Sequence, residues 1–169
     1  MFQKTFRTHQ AIGSGGDISN TQGGLNIFEG VVSDDKVGLG SFVKWKNTAT
    51  NENEVFGASG EPFAAATEKL IGVAVKDKLI VSDEKGLKFI YPVGSNVNVI
   101  TAGNVLIETE SPCKRGQYVF LQDANGALAF DDTPTKAGHT YTGWRVAKGT
   151  GAAVDATIGH DVIEITTAL

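Results

Sequence analysis

Apolar and polar residues alternate with a period of two through much of the chain. In Phe42-Val43-Lys44-Trp45-Lys46, Val43 and Trp45 fall on one side and Phe42, Lys44 and Lys46 on the other. That pattern predicts a strand with one buried and one mostly wet face. The same period runs through Val97-Asn98-Val99-Ile100-Thr101 and Val162-Ile163-Glu164-Ile165-Thr166. Short β-type runs bounded by Gly, Asn and Asp predict strands over 25–32, 41–46, 70–76, 87–91, 96–101, 105–109, 117–122, 127–130, 140–146 and 161–167. Between the last residues of QYVFLQ and the first of ALAF stands Asp-Ala-Asn-Gly, which predicts a hairpin with Asn125 and Gly126 in its turn. Helical composition is confined to 61–69, where Pro62 can take a first helical position, and the stretch is at most about two turns long.

Many short strands linked by hairpins predict an all-β fold: a single compact β-sandwich, jelly-roll-like or small barrel domain. The 21 glycines of the 169 residues have no Gly-X-Y period, so they read as turns and not as collagen. Residues 1–24 differ from the rest. Gly, Ser, Thr, Asn and Gln are dense there, and the large apolar side chains after Met1 are Phe2, Phe6, Ile12 and Ile18. Such a segment buries too little apolar area to offset its ordering entropy. It is read as an extended, glycine-rich arm over 1–24, with Gly13 to Gly16 as a flexible stretch, ahead of a β domain over 25–169. The arm is either a free terminus or a segment that orders against a partner.

Fifteen Lys and Arg against 19 Asp and Glu leave a formal net charge of -4, which argues against non-specific nucleic-acid binding. No run of 18 apolar residues is present, and Lys4 and Arg7 are followed by no apolar stretch of the kind a secretory signal needs, so the protein is expected to stay in the cytoplasm of the cell that makes it. The glycines at 13–16 lack the Lys-Ser/Thr of a phosphate loop and the flanking strand and helix of a dinucleotide site. His9, His139 and His160 have no zinc-ligand spacing. His139 with Asp131 and Asp132, or His160 with Asp161, could meet at a metal only through folding, and no metal or cofactor is expected. Ser59 stands outside any nucleophile elbow, and Glu108 with Glu110 share a strand face as exposed carboxylates commonly do. The lone Cys113 has Lys114 and Arg115 beside it, charges of the sort that lower a thiol pKa, but it reads as a loop cysteine without a base. No catalytic residue is expected.

From Leu70 to Phe130 the chain carries LIGVAVKD, then YPVGSNVNV, then AGNVLIE, then CKRGQYVF ahead of the Asn125-Gly126 turn, and it closes on DVIEI at 161–165. This order resembles the structural cement, or head decoration, proteins of tailed bacteriophages, over about two thirds of the chain. Gln117 departs from the acidic residue common in that family's turn. The resemblance implies a non-enzymatic protein on the outer surface of the virion that binds the major capsid protein, as a homo-oligomer, dimer or trimer, without nucleic acid or membrane. In such an arm Phe2, Phe6, Ile12 and Ile18 would be the apolar anchors, and Lys4 and Arg7 would meet acidic capsid patches. A second reading is a β-sandwich carbohydrate- or receptor-binding module in which Trp45 or Trp144 stacks on sugar.

Overall fold

The computed structural model describes residues 15–20, 25–76, 90–154, 156 and 159–167. Among these, the chain is all β. Its strands are β1 (Ile18–Asn20), β2 (Asn26–Val32), β3 (Phe42–Lys46), β4 (Glu54–Gly57), β5 (Glu68–Val75), β6 (Asn96–Ala102), β7 (Asn104–Thr109), β8 (Tyr118–Gln122), β9 (Leu128–Asp131), β10 (His139–Lys148) and β11 (Asp161–Thr166). They form two bodies. A closed five-stranded barrel runs in the order β2-β4-β3-β5-β6, and a six-stranded sheet runs β1-β7-β11-β10-β8-β9. Every pairing is antiparallel except the short seam between β2 and β4, where Val31 and Val32 face Glu54 and Val55.

The chain passes from barrel to sheet over one residue. β6 ends at Ala102, β7 begins at Asn104, and Gly103 turns the corner at φ 129. The end of β11 ties this corner down: Gly103 N–H donates to Thr167 Oγ1 at 2.9 Å, and Thr167 N–H donates to the Gly103 carbonyl at 3.1 Å.

Alternation in the barrel strands sorts side chains between two cores. Val43, Val55, Ala74, Val97 and Val99 fill the barrel, where Tyr91 joins them and donates its hydroxyl to the Val75 carbonyl at 2.7 Å. Their neighbours Phe42, Val73, Val75 and Ile100 point outward, against Val105, Ile107, Val119, Leu121, Trp144, Ile163 and Ile165 of the sheet. The outer side of β3 is therefore dry as far as Lys44, contrary to the wet face its alternation predicts. Phe42 and Lys44 are both buried, because the sheet and the 61–63 loop cover that side. A β-bulge between Val43 and Lys44 shifts the register with β5, and Gly72 there lies so close to the Ile100 carbonyl that a Cβ would stand 2.1 Å from it.

Two strands have no counterpart in the sequence reading. β1 is three residues long and β4 is Glu-Val-Phe-Gly, both too short for periodicity to register. The expected helix at 61–69 is absent. Thr67 and Glu68 N–H groups both donate to the Ala64 carbonyl, closing one turn, after which Glu68 enters β5 opposite Lys46. Pairing with β3 wins over a helix too short to hold itself. Of the expected 87–91 strand, 87–89 lie outside the described residues, and Ile90 makes an isolated bridge to Gly38.

The predicted hairpin forms between β8 and β9, with Gly126 at φ +65 donating to the Gln122 carbonyl at 2.7 Å. Its turn is also a joint between the two bodies. Gly60 N–H donates to the Asn125 carbonyl at 2.9 Å, Phe63 N–H donates to the Asp123 carbonyl at 2.8 Å, and a Cβ on Gly126 would lie 1.9 Å from the Ala58 carbonyl oxygen. Gly138 has a similar φ of +69 but open space around it. Substituting Gly138→Ala is expected to cost about 1 kcal/mol, the left-handed penalty alone. Gly126→Ala adds a backbone clash at the joint and is expected to cost at least about 3 kcal/mol. Urea unfolding of the two variants side by side measures the difference.

Candidate functional site

The root of the N-terminal segment is locked into the domain. Gly16 N–H donates to the Leu106 carbonyl at 2.7 Å, Leu106 N–H donates to the Asp17 carbonyl at 2.9 Å, and Lys76 N–H donates to the Gly16 carbonyl at 3.1 Å. Residues 15–17 thus bridge β7 of the sheet and the end of β5 in the barrel. Gly40 permits this approach, since a Cβ on it would lie 2.7 Å from the Gly16 nitrogen and 2.8 Å from the Gly15 carbonyl carbon. Gly15 and Gly16 are buried, so the flexibility expected of the 13–16 run does not apply to them; close packing explains their lack of side chains. β1 then adds Ile18 opposite Val105, and the Ile18 side chain packs on the sheet's own core. Phe2, Lys4, Phe6, Arg7 and Ile12 lie outside the described residues.

A cluster of charge holds the loop between β4 and β5. Lys44 is 0% exposed, and its ammonium donates to Glu68 at 3.0 Å and to the Pro62 carbonyl at 3.2 Å, with Glu61 at 4.0 Å and the Phe63 ring 5.9 Å away. Glu68 also accepts the Ala64 N–H at 2.9 Å. Glu61 stands at the solvent end, bonded to Lys36 and 3.4 Å from Lys46, whose ammonium lies 4.7 Å from the Phe56 ring centre. The hydrogen bond from Lys36, reinforced by Lys46, holds the Glu61 carboxyl below the usual glutamate range, and the same bond raises Lys36. The sequence gives no sign of this cluster, because Lys44 sits at a position that alternation assigns to water.

The exposed large apolar side chains among the described residues are Leu25, Ile27, Ile90, Val93 and Tyr141. Ile90 and Val93 are 56% and 61% exposed, and Val93 borders a shallow groove with Val31, Ser33, Asn53, Glu54 and Phe56 along the parallel seam. At the barrel mouth a second cleft, about 450 Å³, is lined by Phe28, Trp45, Glu52, Lys69, Leu70, Ile71 and Thr101. On the sheet, Arg145 donates to the Tyr118 hydroxyl at 2.6 Å and stacks on its ring, which meets Tyr141 edge-on at 5.4 Å.

Of the residues weighed for catalysis or metal binding, His9 lies outside the described residues. Cys113 is buried, and desolvation pushes its thiol up despite Lys114 and Arg115 and a bond to Thr150, so the lowering its flanks suggested does not occur. His139 Nδ1 lies 2.8 Å from the Ala137 carbonyl. Asp131 binds Thr133 through its N–H and hydroxyl and stands 3.8 Å from Lys136, which keeps its carboxyl below the usual range. Glu108, Glu110 and Ser59 are exposed. No group of three or more His, Cys, Asp or Glu among the described residues is placed to share a metal ion. Trp144 is 2% exposed in the shared core, which removes it as a sugar platform.

The chain matches the family described as "Structural cement protein (E217 gp24/Pam3 gp6)" over residues 2–166. Its fold is similar to a chain solved in the capsid of Myoviridae phage XM1, with a TM-score of 0.64 at 12% sequence identity, covering 98% of this chain and 96% of that one. No curated protein matches by sequence.

Removing the carboxylate from Lys44 strands a buried charge, so Glu68→Ala is expected to lower unfolding stability by about 3 kcal/mol. The double change Lys44→Met with Glu68→Leu recovers most of that loss, as chemical denaturation of the single and double variants would register. Glu61 has a depressed pKa in the folded state. Its contribution is therefore present at neutral pH, above the unfolded value, and is lost as pH falls through the folded value. Between neutral pH and about pH 3, Glu61→Gln is expected to lose less stability than the parent protein, read from urea midpoints at the two pH values.

Proposed function

The chain belongs to the phage structural cement protein family, and on that premise we propose that it decorates the outside of the phage head and joins neighbouring major capsid protein subunits without catalysing any reaction. The observation that carries this reading is the family match over residues 2–166. The capsid fold relative adds that the architecture occurs within a phage head.

The physical design suits a cement. A mechanical bridge needs rigid mounting and extended reach. Gly15, Gly16 and β1 anchor the N-terminal segment at the junction of barrel and sheet. Beyond that anchor lie 14 residues, which span up to about 46 Å if extended. They carry Lys4 and Arg7 and no acidic residue, and Phe2, Phe6 and Ile12 supply apolar contacts. We assign these side chains to the capsid surface and Ile18 to the anchor, where it holds the arm's base on the domain's core. A homo-oligomer, dimer or trimer, would multiply each weak contact by presenting several arms to a repeating lattice.

Co-sedimentation with expanded capsids that lack the protein tests the proposal. Saturable binding at a fixed ratio to the major capsid protein, together with a raised disruption temperature, is the expected result. Deleting residues 1–14, which leaves β1 in place, should weaken binding at least about ten-fold while the unfolding transition persists. Absence of binding by the full chain to any expanded shell would overturn the reading.

A further inference from the structure

The face of the six-stranded sheet that turns away from the barrel is not wholly polar. Val119 and Leu121 of β8 fill the shared core, so Tyr118 and Phe120 fall on the other side. Phe120 is buried although neither core includes it, and Tyr141, its partner in register on β10, lies with its ring centre 5.6 Å away. Arg145, opposite Tyr118, holds its guanidinium 4.1 Å from that ring's centre. Tyr118 and Arg145 are half-buried, and Tyr141 is exposed. One small patch thus collects two tyrosines and an arginine, the residue types that carry much of the binding energy where proteins meet.

Arg145 has no counter-ion. It takes part in no ion pair among the described residues. Two carboxylates are in register near it, and both are engaged elsewhere. Asp131, across Tyr118 on β9, binds Thr133 and Lys136. Glu164 stands two residues from Thr166, the residue that faces Arg145, and accepts from Ser19 Oγ at 2.7 Å and from Asn104 Nδ2 at 3.3 Å. The Tyr118 hydroxyl supplies one acceptor to a guanidinium that has five N–H donors. A guanidinium already braced on a ring loses little freedom when a carboxylate takes the rest of its fork.

We propose that this patch docks an acidic side chain of a neighbouring major capsid protein subunit, with its carboxylate on Arg145 and the apolar surface around it on Tyr141. The inference rests on the cement reading and extends it, since the β domain then makes a contact of its own beside that of the N-terminal arm. The uncompensated cation calls for an anion, and the flanking rings call for apolar surface next to that anion. A nucleic acid fits poorly, because one arginine on a chain of net charge -4 neutralises too few phosphates to hold a polyanion. A second copy presenting the same patch brings only another unpaired cation and two engaged carboxylates.

The full chain and its Arg145→Gln and Arg145→Glu variants are titrated onto expanded capsids that lack the protein, across a series of NaCl concentrations, and sedimentation velocity without capsids reads self-association. Arg145→Gln is expected to weaken capsid binding at least about ten-fold and to flatten its salt dependence. Arg145→Glu is expected to weaken it further, because a carboxylate on the capsid repels the new charge. Should the Arg145 variants lose their unfolding transition, the exposed Tyr141→Ala decides, with at least about a three-fold loss expected. Binding within about two-fold of the parent in Arg145→Gln, or in Tyr141→Ala where that variant decides, overturns the proposal and leaves the cement reading standing. Equal losses in Arg145→Gln and Arg145→Glu do the same, as does a loss of self-association with capsid affinity kept, which assigns the patch to a second copy. No capsid binding by the parent overturns both.

Discussion

Three barrel strands are dry on both faces where the sheet covers them, and most of the molecule's unusual features follow from that. β3, β5 and β6 send Val43, Ala74, Val97 and Val99 into the barrel and Phe42, Val73, Val75 and Ile100 onto the opposing sheet. Along that covered stretch a strand has no wet side on which to place a polar residue. Lys44 therefore needs a complete set of partners, and Glu68 and the Pro62 carbonyl supply them. Gly72 arises from the same crowding, because no side chain fits beside the Ile100 carbonyl.

The two bodies are joined by more than apolar contact. The Gly103 corner, the β8–β9 turn against Ala58, Gly60 and Phe63, and the Gly15–Asp17 bridge each fix backbone of one body to backbone of the other. Backbone hydrogen bonds at three separated places oppose sliding of the sheet over the barrel, which a greasy interface alone resists weakly. For a cement this is the useful property: force on an anchored segment is passed to a single rigid unit. The ionic cluster around Glu61 and Lys44 stabilises the loop that carries one of these joints.

Barrel closure also shapes the surface. The ring is closed by short seams, β2 meeting β4 only at Val31 and Val32, and one of its mouths holds Phe28 and Trp45 beside Glu52 and Lys69. The sheet keeps its edges at β1 and β9. β1 carries the root of the N-terminal segment, while β9 ends on Asp131 and is followed by Lys136, whose ammonium lies 3.5 Å from the Phe130 carbonyl. A charged group on an edge carbonyl discourages further strand addition.

Period-two alternation and turn residues were enough to read an all-β fold, most of its strands and the Asn125-Gly126 hairpin, because these depend on neighbours in sequence. The motifs from Leu70 to Phe130 were enough to read the family. Sequence alone also excluded a phosphate loop, whose residue spacing is itself sequential. What only the tertiary structure decided was which faces meet. Val43 and Lys44 look like an inside and an outside residue until a second sheet covers the outer one, and Glu61 and Glu68 become its partners only through a loop 17 to 24 residues away. Gly15 and Gly16 likewise read as slack until Leu39, Gly40 and Leu106 are packed around them. Burial is a property of long-range contact, and a local pattern records it only where one face stays in water.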